Sequence, residues 1–258
     1  MSNSFIKNAS YTVLDWVTFG KGVRRTINGM KVRFPARWSR YYKSVYEPDT
    51  YKLLKHFVKP GAHIIDIGAH IGLFTTCISQ LVGPNGKIIC FEPTPETFSI
   101  LKETLRLNHC DNVIPVQAAV SDKNGSATFY ASSADEACNS NSLVKNRAEK
   151  DLSAYDVKLV TIDSIVEEYS VKPSLIKIDV EGAELDTLKG GVETFRNFKP
   201  LIILGLHPAF IKQKGDSLEA IWDLLLQCGY EMKLDGKTIT RDDFCSRDIL
   251  FDVHCYSS

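Results

Sequence analysis

From residue 62 onward, short apolar runs alternate with segments whose apolar residues recur every three or four positions. "AHIIDIG" closes on a glycine, and "LFTTCISQLV" follows at helical spacing. "KIICFE" is a second run, followed by "TPETFSILKETLRLN", where Thr94 is placed to cap a helix and Pro95 falls in its first turn. Proline is tolerated there because that N–H has no helical partner. "NVIPVQAAV" reads as a third strand. The same grammar returns in "SLIKIDV" and in a helix over "AELDTLKGGVETFRNF", with Leu185, Leu188, Val192 and Phe195 on one face. "PLIILGLH" is another strand, "DSLEAIWDLLLQCGY" a helix closed by Gly229, and "EMKLDG" with "DILFDVHCY" a terminal hairpin pair. Near-continuous apolar strands between amphipathic helices predict an α/β fold with a mostly parallel sheet covered on both faces.

Two segments break this pattern. Residues 132–156 are mostly polar and too poor in apolar positions to build a core, although "SATFYAS" and "VKLVTID" on either side are strand-like. A long polar excursion inside a domain is a lid or substrate-loop candidate, or simply a flexible loop. Residues 1–46 carry nine Lys or Arg against one acid, Asp15, a net +8 balanced by −8 in the rest. This basic extension is either solvated or a guide for an anionic partner such as a phosphorylated substrate. Its interleaved Trp38, Tyr41, Tyr42 and Tyr46 can also pack it onto the main domain, taken as residues 47–258.

Composition narrows the class. With 258 residues, 44% hydrophobic and 24% charged, the chain has the make-up of an ordinary globular protein. No apolar run reaches the roughly 20 residues of a membrane span, and the start lacks a signal-peptide core, so a cytoplasmic location is expected. Seven scattered cysteines without a Cys-x-x-Cys pair argue against a disulfide framework or a zinc site. The acidic remainder of the chain makes nucleic acid an unexpected partner.

The strongest local signal is "DIGAHIGLF", between a strand and a helix, with Glu92 at the end of the next strand. Glycines there let the chain turn tightly and let a ligand approach, and an acid at the second strand end can accept from two ribose hydroxyls. A dinucleotide fingerprint begins with glycine where this chain has Asp66, and a carboxylate there would repel a pyrophosphate. It suits a cofactor with a cationic end and no phosphate, such as S-adenosylmethionine.

"DIGAHIG", "FEPTPETF", "VQAAVSD" and "LIKIDVEGAELDTLKGG", in this order, resemble the FkbM-type S-adenosylmethionine-dependent methyltransferases over roughly residues 48–208. The resemblance implies the Rossmann-like class I methyltransferase fold, with a mostly parallel seven-stranded sheet and an antiparallel terminal strand. It implies O-methylation, commonly of sugar or polyketide hydroxyls; the reading taken here is a small-molecule hydroxyl acceptor, with a glycolipid precursor among the candidates and an anionic acceptor suggested by the basic extension. By position, Asp66, Gly68, Ala69 and Gly72 would line the methionine side, Glu92 would hold the ribose, and Ala118 and Ala119 would lie near adenine. His70, Pro93 and Glu47 complete the candidate cofactor set.

Methylating an alcohol also requires a group that takes its proton. Asp179 closes the strand "SLIKIDV" and His207 closes "LIILGLH"; either is a candidate base at the carboxyl end of a sheet, where ligands bind in open α/β folds. Glu181 is a third candidate, and Asp179, Glu181 and His207 together could hold Mg2+ or another divalent ion. Glu184 reads as an acid that only favours a helix start. Rival readings are a nucleotide-dependent oxidoreductase and a catalytically silent cofactor-binding scaffold.

Overall fold

The computed structural model describes residues 20–132 and 152–257. Asn28 and Gly29, with φ of +46° and +82°, turn the chain between β1 (Val23–Ile27) and β2 (Met30–Phe34), an antiparallel hairpin inside the basic segment. Asn-Gly is the preferred pair for such a turn because both positions need positive φ. The hairpin buries Ile27, Val32 and Phe34 among side chains of α1 (Pro48–Phe57) and the sheet, instead of standing in solvent.

The central sheet follows from the apolar runs. Its units are β3 (His63–Ile67), α2 (Leu73–Val82), β4 (Lys87–Phe91), α3 (Pro95–Leu107) and β5 (Val113–Val116). The chain then leaves the sheet through β6 (Ala119–Val120), β7 (Gly125–Ser132), β8 (Leu152–Val160) and α4 (Ile162–Glu168). It returns at β9 (Pro173–Ile178), and continues with α5 (Glu184–Lys189), α6 (Val192–Phe198), β10 (Leu201–Leu206), α7 (Pro208–Lys214) and α8 (Leu218–Gln227). The last elements are β11 (Tyr230–Leu234), β12 (Lys237–Thr238), α9 (Arg241–Cys245) and β13 (Phe251–Ser257).

The strand order is β5-β4-β3-β9-β10-β13-β11-β12. β5, β4, β3, β9 and β10 are parallel, and β13 runs antiparallel to both its neighbours. Eight strands form the sheet instead of the expected seven, because Asp235 and Gly236, both at positive φ, fold two residues of β12 back onto β11. Successive strand residues serve opposite faces: Ile65, Ile176 and Leu204 enter one core cluster, while Ile64, Leu175 and Ile203 enter the other. That two-sided burial is why the strands read as unbroken apolar runs.

Three local predictions change. "NVIPVQAAV" is two strands, since β6 leaves the main sheet to pair with β8. The segment after Ala183 is two helices that break at Gly190 and Gly191, where the chain passes so close to the residue after β6 that a Cβ on Gly190 would stand 2.1 Å from the Ser121 carbonyl oxygen. The C-terminal strands pair, but β12 and α9 lie between them. Of the lid candidate, residue 132 ends β7 and residues 152–156 begin β8; residues 133–151 fall outside the described residues.

Candidate active site

Strand order reverses between β3 and β9, and a cleft opens at the carboxyl ends of the strands beside this switch point, where open α/β sheets take their ligands. Asp66, on β3, is fully buried; its Oδ2 accepts from the Thr75 hydroxyl at 2.5 Å, and its Oδ1 has no hydrogen-bond partner. Burial pushes this carboxyl above the ordinary range, while Lys177 and Thr75 pull it back. Gly68 follows at φ +83°, and a Cβ on it would stand 1.9 Å from the Asp179 carbonyl oxygen. Its glycine is thus demanded by the crossing of two strand ends. Gly72 is set apart from the other motif residues: it is not part of the cleft wall, and a Cβ on it would meet Leu101 of α3 at 2.8 Å.

Glu92 follows β4 and is 6% exposed. The backbone N–H groups of His70 and Thr94 donate to its two carboxylate oxygens at 3.1 and 3.0 Å. Burial nevertheless raises its pKa to about 7, against those two bonds. Thr94 takes the N-cap position of α3 without a side-chain cap bond. His70 adopts φ +52°, and its Nδ1 lies 3.1 Å from the Tyr42 hydroxyl. Ala69, Pro93, Ala118 and Ala119 line the same cleft.

The opposite wall comes from β9, β10 and the turn after β9. Lys177 is 4% exposed, and its ammonium donates to Asp179 Oδ2 at 3.0 Å and lies 5.0 Å above the Phe74 ring. Burial pushes the Asp179 carboxyl up, but Lys177 and His207 more than offset this and leave it below the ordinary range. His207 presents Nε2 at 3.7 Å from Asp179 Oδ1, too long for a hydrogen bond. Its Nδ1 lies 2.9 Å from Glu184 Oε1, and its backbone N–H donates to the same oxygen at 3.2 Å. Desolvation pulls the imidazole pKa down, yet Glu184 and Asp179 raise it above the ordinary value. Glu181 sits at φ +46°, with its pKa raised to about 8, first by burial.

The basic segment closes the cleft. Tyr41, Tyr42, Tyr46 and Glu47 line it, and Tyr41 packs edge-on against Tyr42 at 4.9 Å. Burial raises the Glu47 carboxyl, and Lys177 opposes this. On the far side Gly205 leaves a gap, since a Cβ there would stand 3.2 Å from Asp179 Oδ1 and 3.3 Å from Asp252 Oδ1.

A family model described as a methyltransferase FkbM domain matches residues 66–232. The chain belongs to the FkbM methyltransferase family. The hexuronic acid methyltransferase AglP of Haloferax volcanii is 28% identical over 204 residues, covering 75% of this chain and 80% of AglP. The 2-O-methyltransferase NoeI of Sinorhizobium fredii is 28% identical over 188 residues, covering 68% of this chain and 69% of NoeI. A provisionally assigned rRNA-methylase of Clostridium thermocellum shares the fold, with a TM-score of 0.51 at 14% identity over 81% of this chain and 94% of that one.

In this FkbM methyltransferase nothing beyond the sequence reading supports a metal at Asp179, Glu181 and His207. Among the described residues, no three His, Cys, Asp or Glu side chains converge as a metal-binding group. Lys177 holds Asp179 Oδ2 and Glu184 holds His207 Nδ1, so each of these two residues already spends one polar atom on a protein partner. Two participants escape the sequence reading. Lys177 was hidden in an apolar run, although its place two residues before Asp179 puts both side chains on one face of the strand. Glu184, expected to serve only a helix start, turns inward and is fully buried. Among the described residues, no helix is long and apolar enough to cross a membrane.

Proposed function

We propose that this FkbM methyltransferase transfers the methyl group of S-adenosylmethionine to a hydroxyl oxygen of a small molecule, with His207 as the base. The observation that carries the reading is Asp66, a fully buried carboxylate with an unpartnered oxygen, opening on the same cleft as His207. A buried carboxylate oxygen without a partner is costly unless a cationic or hydrogen-bonding group meets it. Asp66 would take the ammonium end of the cofactor and Glu92 its ribose hydroxyls, with Ala118 and Ala119 leaving room beside them. When bound, S-adenosylmethionine supplies an activated methyl group on a sulfonium that departs as a neutral thioether.

The directions of the two titrations choose the base. Asp179 is held ionised by Lys177, so it is a weak proton acceptor near neutrality. The His207 imidazole is made more basic by Glu184, and its Nε2 is the nitrogen left for a hydroxyl proton. Asp179, the neighbouring carboxylate, can accept a hydrogen bond that orients the acceptor. For the acceptor we infer a carbohydrate hydroxyl. The hexuronic acid in the name of AglP supports that class, as does Tyr41, a partly exposed ring on the wall of a cleft that also carries carboxylates suited to hydroxyl donors.

Incubation with S-adenosylmethionine labelled in its methyl group, against a panel of free and nucleotide-linked sugars, tests the reading. Label should appear as an ether on one class of acceptor. The His207→Ala variant should bind the cofactor within about twofold of wild type yet lose transfer by roughly 100-fold or more. Absence of cofactor binding by the wild type, or full transfer by His207→Ala, would overturn the reading.

A further inference from the structure

We propose that Glu184 is a positioning residue that holds His207 as the Nδ1–H tautomer and keeps Nε2 turned to the acceptor. The proposal rests on the reading of His207 as base. A carboxylate in the first turn of a helix ordinarily gains from the helix dipole while facing water. Glu184 instead has no exposed surface, and both contacts of its Oε1 are to one residue, the ring Nδ1 and the backbone N–H of His207.

The geometry leaves few alternatives for the ring. Glu184 Oε1 already accepts from the His207 backbone N–H, and in the proposed arrangement it accepts from Nδ1–H as well across the 2.9 Å contact. The neutral imidazole then has its lone pair on Nε2, which lies on the side of Asp179 and the cleft. The second bond, from the backbone N–H, ties the start of α5 to the end of β10, so that carboxylate and ring move as one unit. A buried carboxylate with a single neutral partner would be expensive; an imidazole that becomes positive during turnover gives it a counter-charge at the moment the acceptor loses its proton. In turnover the acceptor hydroxyl would give its proton to Nε2, and the imidazolium would later release it to solvent.

The ring is surrounded by several other groups. Asp179, directly after β9, Glu181 from the same turn and Asp252 from β13 all act on His207 electrostatically, and the Phe210 ring of α7 lies 6.2 Å away. Glu184 makes the 2.9 Å contact to a ring nitrogen, whereas Asp179 stands 3.7 Å from the other, so Glu184 should dictate the tautomer.

Nitrogen-detected NMR of the imidazole, on the full chain without acceptor, tests this. Wild type should show the Nδ1–H tautomer. Glu184→Gln, which keeps size but loses charge, should lower the His207 titration midpoint by about one pH unit. Glu184→Ala should shift the ring toward the Nε2–H tautomer and lower kcat by roughly 100- to 1,000-fold, while cofactor affinity by calorimetry stays near wild type. Should Glu184→Ala fail to fold, Glu184→Gln carries the test. An unchanged tautomer and midpoint in folded, cofactor-binding variants would reduce Glu184 to a tie between α5 and β10. Loss of cofactor binding by the wild type would instead overturn the function proposed above.

Discussion

Glu92 accepts two backbone hydrogen bonds, yet burial still carries its pKa to about 7. Folded-state elevation above the ordinary value of 4.5 means that Glu92 favours the fold most at acid pH, and that this contribution is lost as pH rises through 7. Ribose hydroxyls donating to the carboxylate would favour its ionised form and draw the pKa down. Cofactor binding at pH 6 should therefore release close to one proton, and at pH 8.5 almost none. Calorimetry in two buffers of different ionisation enthalpy measures this directly; Glu92→Gln should abolish the release at pH 6, and a release that persists would place its source elsewhere. Glu92 was legible in the sequence because an acid closing a strand stands out. Lys177 and Glu184 were not, because a lysine in an apolar run and a glutamate at a helix start each have a commonplace explanation. Only the tertiary fold shows that both side chains are buried and turned toward Asp179 and His207.

At the level of elements, the alternating apolar strands and amphipathic helices were readable because both faces of the sheet are covered, and the ends of β3, β4 and β9 could be placed from the glycine or acid that follows them. The breaks were harder to see. Apolar spacing runs unbroken through Leu185, Leu188, Val192 and Phe195, so the α5–α6 interruption arises only where Gly190 meets Ser121. The β1–β2 hairpin was obscured by its charge, although Asn28-Gly29 marks its turn. Its inward residues are core: Phe34 is 1% exposed and packs on Tyr42 at 5.8 Å, and Asn108 bonds both the N–H and the carbonyl of Arg33. Phe34→Ala should therefore cost about 3–5 kcal/mol, whereas Arg24→Ala on the exposed side should stay within about 0.5 kcal/mol. Urea denaturation of both variants checks this, and a loss below about 1 kcal/mol for Phe34→Ala would mean the hairpin is merely appended. Because the same segment leads to Tyr41, Tyr42 and Tyr46, loosening it should also weaken the cleft wall.

Across the whole molecule, the cleft gathers carboxylates from five places in the chain: Glu47, Asp66, Glu92, Asp179 with Glu181, and Asp252. Lys177 is the buried lysine set among them, and it pulls down the carboxyls of Glu47, Asp66, Asp179 and Asp252 at once. Removing it as Lys177→Met leaves these groups unpaired in a poorly solvated space, a loss of about 2–4 kcal/mol; the lower part of that range reflects the partial exposure of Asp179. The sign with pH follows from the directions. Asp66, Glu47 and Asp252 already lie above their ordinary values, and without Lys177 they rise further, while Asp179 loses the partner that holds it low. A carboxyl elevated in the folded state adds stability at acid pH and loses it as pH climbs through the folded value. The deficit of Lys177→Met relative to wild type should therefore be larger at pH 8 than at pH 5, by about 1 kcal/mol or more if the shifts sum to one unit. Paired urea titrations at the two pH values measure it. Equal deficits would show that Lys177 acts through packing against Phe74 and not as the counter-charge that lets so many acids share one cleft.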